Sequence, residues 1–357
     1  MAGRRLLDPS SGEYRIVAGL IRSAHQTVGT TGQQWWNGRI GVLPATSRTR
    51  SRADLDGTIQ LHPRHVIAPL RRAEAGGRDR WWYPKATRDA SYNVIYEGLR
   101  MAGPTGLKPG ANQSLDRALP AGNRSLDQAL NEQLTYQIAE RVMVENGLAE
   151  AFEADLPEAA NSGYGFSAGM LQPFRINPLS TPSTAAARAL VDGLADATDR
   201  SPQLVLGTLA QSRKTERWSL AVSMVAETEQ RGVLDALKAN GLAVDFTEVS
   251  RAAGREWARL NGHQSLTIST VKAADDWGYA IGRDTAGVLV KAGKGLADVG
   301  SRVPQRGVTE VQKPAAAREL SPDEVLGPQV SPAGTSTTTG ATSASRAAAR
   351  PDRQLDR

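Results

Sequence analysis

The chain has no cysteine, which removes disulfides, thiolate metal sites and cysteine nucleophiles together. Histidine is almost as scarce. His25, His62, His65 and His263 are the only four, so an imidazole metal site or a histidine general base must draw on them. Aromatic residues make up 5% of the sequence against 40% for hydrophobic residues as a whole. That balance suits alanine-rich helix packing better than an aromatic-rich β-sandwich. Long apolar runs are also missing: none approaches the roughly 18 residues that a membrane span needs. Polar residues interrupt every apolar run after Arg4 and Arg5, which leaves no secretory core. The expectation is a cytoplasmic protein with no membrane partner. Zinc-finger spacings, P-loops and dinucleotide fingerprints are absent, and GLRMAG and GKGLADVG lack the strand–loop–helix context a phosphate loop needs. FSAGM at 166–170 is not a nucleophile elbow.

Basic charge is present in excess and is unevenly placed. The formal charge is +6 over 357 residues. Residues 1–90 hold fifteen Lys and Arg against seven Asp and Glu, so the remainder is slightly acidic. A basic N-terminal third attracts phosphates or acidic protein surfaces. Arg48, Arg50, Arg52, Arg71 and Arg72, with Arg78 and Arg80, would supply phosphate contacts. Trp81 and Trp82 would stack on bases, although such tryptophans also serve as core anchors.

The length permits one large or two modest domains. Apolar spacing predicts helices over 13–29, 86–102 and 125–145, the last with Ser125 as N-cap. Further helices are expected over 184–197, 203–212, 214–230, 232–240, 245–261 and 268–292. Short strands are expected over 39–43 and 58–61, each after an Asx-Gly turn; SRTRSR at 47–52 reads as loop, and a short helix is expected within HVIAPLRRAEAGG. Residues 105–124 read as loop, across which SLDRAL and SLDQAL recur at a spacing of 11. The fold class is α+β, predominantly α-helical. A small β/α domain covers 1–150, an irregular connection 151–183, a helical domain 184–302, and a disordered low-complexity tail 303–357.

The stretch VIYEGLRMAGP at 94–104 has the outline of a zinc-peptidase helix, H-E-x-x-H-x-x-G. In that pattern two histidines at i and i+4 share a helix face and hold the metal, and the glutamate between them activates its water. Here Tyr96 and Arg100 stand at the histidine positions and Glu97 at the glutamate. DGTIQL, YEGLRMAGP and LNEQLT, in that order, resemble the strand, motif helix and ligand helix of a zincin-like, gluzincin-type metallopeptidase domain over residues 36–147. The resemblance implies metal positions at Tyr96, Arg100 and Glu132, with Glu97 as general base. Tyr is a poor zinc ligand, and Arg neither coordinates metal nor gives up its proton. The expected protein is therefore a degenerate metallopeptidase acting as a binding or scaffold module for an unknown protein partner, with no cofactor required. Arg100 would pair with Glu132 or Glu97 in place of the metal. If activity persists, it is zinc-dependent peptide hydrolysis, with Glu132, His62 and His65 as ligands. Two alternatives stand beside this: Tyr96, Glu97 and Arg100 as the polar face of an ordinary amphipathic helix, and a basic nucleic-acid-associated or phage-like structural protein.

Overall fold

The computed structural model describes residues 5–29, 35–75, 83–108, 113–149, 151, 181–260 and 271–302. The tail from 303, most of the 151–183 connection, Arg78, Arg80, Trp81, Trp82 and His263 lie outside them. The fold is α+β and predominantly helical.

Helix α1, Gly12–Thr27, starts where the Ser11 hydroxyl accepts from the Tyr14 N–H, with Glu13 in its first turn; both features stabilise the free N-terminal amides. Three short strands follow: β1 Ile40–Val42, β2 Ser51–Ala53 and β3 Ile59–Leu61. The central strand is β3. It runs parallel to β1, pairing Ile40 with Ile59, and antiparallel to β2, pairing Ser51 with Leu61. Strand β2 falls in the stretch read as loop from its sequence. Its polar residues give no period-2 signal, and it forms because the buried Ile59–Leu61 segment offers a ladder on its second edge. An edge strand tolerates such a composition. The β2–β3 turn carries Gly57 at φ +83°, with Trp35 O only 2.4 Å from where a Cβ would sit, so glycine is needed there on both counts.

After β3 the chain makes a π-helical turn, Pro63–Ile67, and runs into α2, Ala68–Glu74. Helix α3 spans Tyr83–Arg100, α4 Leu115–Ala118 and α5 Ala121–Glu145. Helix α5 begins directly after Pro120, four residues ahead of the expected cap. Ser125 is interior, and its hydroxyl donates back to Ala121 O at 3.1 Å. The remaining described helices are α6 Thr181–Thr198, α7 Pro202–Gln211, α8 Arg217–Glu229, α9 Val233–Ala239, α10 Thr247–Ala258 and α11 Val271–Arg302. Helix α11 lies directly on α6: a Cβ at Gly282 would fall 2.1 Å from Ala186 O, and one at Gly278 2.1 Å from Pro182 O.

The described residues form one compact unit. A large apolar cluster runs through it, from Val17 and Ile21 on α1 through Ile95 and Leu130 to Leu190, Trp218 and Leu289, with a small second one of Ala226, Val233 and Leu237. The regions expected as separate domains on either side of the 151–183 connection thus contribute to one core. Helix α3 sits within this packing, against α1, α5, α2, the π-turn and β2. That position determines what its polar residues can do.

Candidate functional site

Val94, Ile95, Leu99 and Ala102 are buried, as an apolar face requires, but Glu97 at 2% exposure and Arg100 at 1% are buried as well. They are not the solvated face of an amphipathic helix. With the sheet and α5 packed on it, α3 is covered on more than one side, so its charged residues need partners inside the protein.

Arg100 finds three. Its Nε donates to Asp127 Oδ2 at 2.9 Å, its Nη2 to Asp116 Oδ1 at 2.6 Å, and its Nη1 to Glu97 Oε2 at 3.3 Å. The Tyr96 ring lies beneath the guanidinium, with Cζ 5.5 Å from the ring centroid, which adds a cation–π contact. Asp116 is the member nearest solvent, with 36% of its side chain exposed. Asp127 is the hub. Besides Arg100 it accepts from Lys214 Nζ and Arg217 Nη1, both at 2.8 Å, and from Asn131 Nδ2 at 2.9 Å. Lys214 and Arg217 come from the segment that opens α8, and Arg217 also donates to Ala210 O at 2.9 Å. Glu97 turns the other way, toward the sheet, where Ser51 Oγ of β2 donates to its Oε1 at 3.0 Å.

The electrostatics follow from burial and from who shares whom. Burial works against ionised Asp127, but Lys214, Arg217 and Arg100 outweigh it and hold the carboxyl well below the usual range. Burial also opposes charge on Arg100; Tyr96, Glu97, Asp116 and Asp127 outweigh that and raise its pKa further. Glu97 is under-compensated. Its one cation is shared with two other carboxylates, and burial pushes it up to about 7 despite Arg100. Loss of solvent raises the Tyr96 phenol well above 10, so it stays neutral.

This donor set does not fit a zinc ion. A guanidinium that is already bound occupies the second histidine position, and a neutral phenol occupies the first. The expected partner on α5, Glu132, is buried on that helix, but the residue of α5 that meets Arg100 is Asp127. The substitute ligands are engaged elsewhere. His62 Nδ1 accepts from the Arg64 and His65 N–H groups at 3.1 and 3.3 Å, capping the π-turn, so its Nε2 carries the proton toward Ala45 O. His65 is exposed and its ring rests 4.5 Å from that of His62. Among the described residues no three His, Asp or Glu side chains are grouped to hold a metal ion.

The arginines read as phosphate contacts divide. Arg52 pairs with Asp54 at 2.9 Å, Arg71 pairs with Glu13, and Arg72 is also engaged; Arg50 stands 4.0 Å from Asp89, and Arg48 is exposed. Sequence reasoning missed Asp116, Asp127, Lys214 and Arg217. A signal for the first two was present: they are the aspartates of SLDRAL and SLDQAL, and both copies of that duplication end on Arg100. Comparison of the chain with family models, curated proteins and solved structures finds no match.

Proposed function

We propose that this protein is a non-catalytic, metallopeptidase-like module that serves in binding or scaffolding, with Arg100 as a built-in cation where a peptidase of the zincin type would carry its metal. One observation carries the reading: a guanidinium at the motif's second histidine position, 1% exposed, makes ion pairs with three carboxylates. An always-charged, planar, five-donor group fixes those carboxylates without a metal. The order of short strand, YEGLR helix and NEQLT helix, with α3 packed on both β2 and α5, supports the likeness to the zincin arrangement. Glu97 keeps the position of a general base but accepts from structural partners only: Ser51 and Arg100 donate to its two oxygens.

The test is metal content and peptide hydrolysis of the full chain after expression and dialysis with zinc. The expected result is zinc far below one equivalent and no zinc-dependent cleavage of a mixed peptide library. Near-stoichiometric zinc, with cleavage that Glu97→Gln abolishes, would overturn the proposal.

A further inference from the structure

A group of exposed basic side chains gathers at one end of the sheet. The loop from β1 to β2 is clamped there: the His62 N–H donates to Arg50 O at 2.8 Å, and the His62 ring faces Ala45 O. Arg48 and Arg50 project from this loop, and Arg64 and His65 from the π-turn beside it, all exposed. The π-turn packs on α3, whose Asp89 is shared by Lys85 at 3.1 Å and Arg50 at 4.0 Å. Arg48 and Arg64 make no ion pair among the described residues. Arg50 and Lys85 therefore share one carboxylate, and among the described residues Arg48 and Arg64 have none. The His65 imidazole lies close to two of these cations: partial burial lowers its pKa first, and then His62, Arg50 and Arg64 lower it further.

We propose that Arg48, Arg50, Arg64 and Lys85, with His65 among them, form a surface that binds the phosphate backbone of duplex nucleic acid without reading its sequence. Guanidinium and ammonium groups spread along an exposed edge match a repeating anionic backbone. An acidic protein partner is the weaker fit, because protein interfaces are built round an apolar core and none of these five side chains supplies one. The structure also revises which residues would act. Arg52 and Arg71 each have a carboxylate of their own, Asp54 and Glu13, whereas Lys85 shares Asp89 with Arg50; Arg64, His65 and Lys85 take the place of the first two. This inference is independent of whether the Arg100 cluster descends from a metal site.

The experiment is fluorescence anisotropy of the full chain with a labelled duplex of about twenty base pairs, repeated over a range of salt concentrations. Four phosphate contacts give a slope of log affinity against log salt of about −3 to −4. Arg48→Ala and Arg64→Ala should each reduce that slope by about one and weaken binding equally on unrelated sequences. Lys294→Ala removes the same charge from a residue paired with Glu229 on the helical side, and should leave affinity and slope unchanged. Absence of binding at low salt would overturn the proposal, as would a Lys294→Ala effect equal to that of Arg64→Ala, which would mean net charge alone. Equal affinity and slope with poly-glutamate would overturn it in favour of an acidic protein partner.

Discussion

Arg100 and Glu97 sit three residues apart on one helix and behave as opposites. Arg100 is over-supplied with partners and stays charged; Glu97 is under-supplied and titrates near neutrality. A carboxyl whose folded-state pKa is raised keeps its proton in the folded chain where the unfolded chain has lost it. Stability therefore falls as pH rises from about 4.5, its ordinary value, to about 7. Above that the whole penalty is present, on the order of 3 kcal/mol. Glu97→Gln should remove this slope: urea unfolding should find the variant level with the parent chain near pH 4 and more stable at pH 8 by that order. A parent chain equally stable relative to the variant at both values would show that Glu97 ionises normally. The sequence pointed to this helix through its motif outline, and Tyr96, Glu97 and Arg100 do come together. It could not reveal Asp127 as the hub, because Lys214 and Arg217 lie almost ninety positions away and nothing local marks them.

At the scale of elements, the helices were legible from apolar period, and the misjudged boundaries have local causes. Helix α5 begins at Ala121 because Pro120 sets the turn into it, so the serine with the better capping chemistry ends up inside. Strand β2 was hidden because it exists only as a partner of β3. Helix contact is what sequence period conveys least, and α6 against α11 shows why. Their approach depends on glycines that carry no apolar signal, Gly278 and Gly282, each facing a carbonyl oxygen of α6. Gly282→Ala should cost about 1–3 kcal/mol through overpacking. Gly287→Ala, five residues on in the same helix with nothing within 4 Å of its Cβ position, should instead stabilise by up to about 1 kcal/mol. Thermal melts of the two variants should move in opposite directions; a shared direction would mean that the α6–α11 contact is looser than described.

For the whole molecule, the charge cluster and the core say the same thing about connectivity. Asp127 on α5 is satisfied by side chains at the head of α8, and one apolar cluster spans α1 to α11. Residues 1–302 should consequently unfold together. Tryptophan fluorescence and far-ultraviolet circular dichroism should give coincident urea transitions; two separated transitions would restore independent domains on either side of the 151–183 connection. No described helix is long and apolar enough to cross a membrane.

The account rests on Arg100 acting as the structural cation of a site that binds no metal, and a double-mutant cycle on Arg100→Met and Asp127→Asn tests it most directly. Arg100→Met alone should cost about 3–5 kcal/mol, since it leaves buried Glu97 without a cation and Asp127 with two of its three. The cycle should return a coupling of at least about 2 kcal/mol between the two residues in urea unfolding at pH 7. A coupling below about 0.5 kcal/mol would contradict the account, because Arg100 would then not be what holds these carboxylates in the fold.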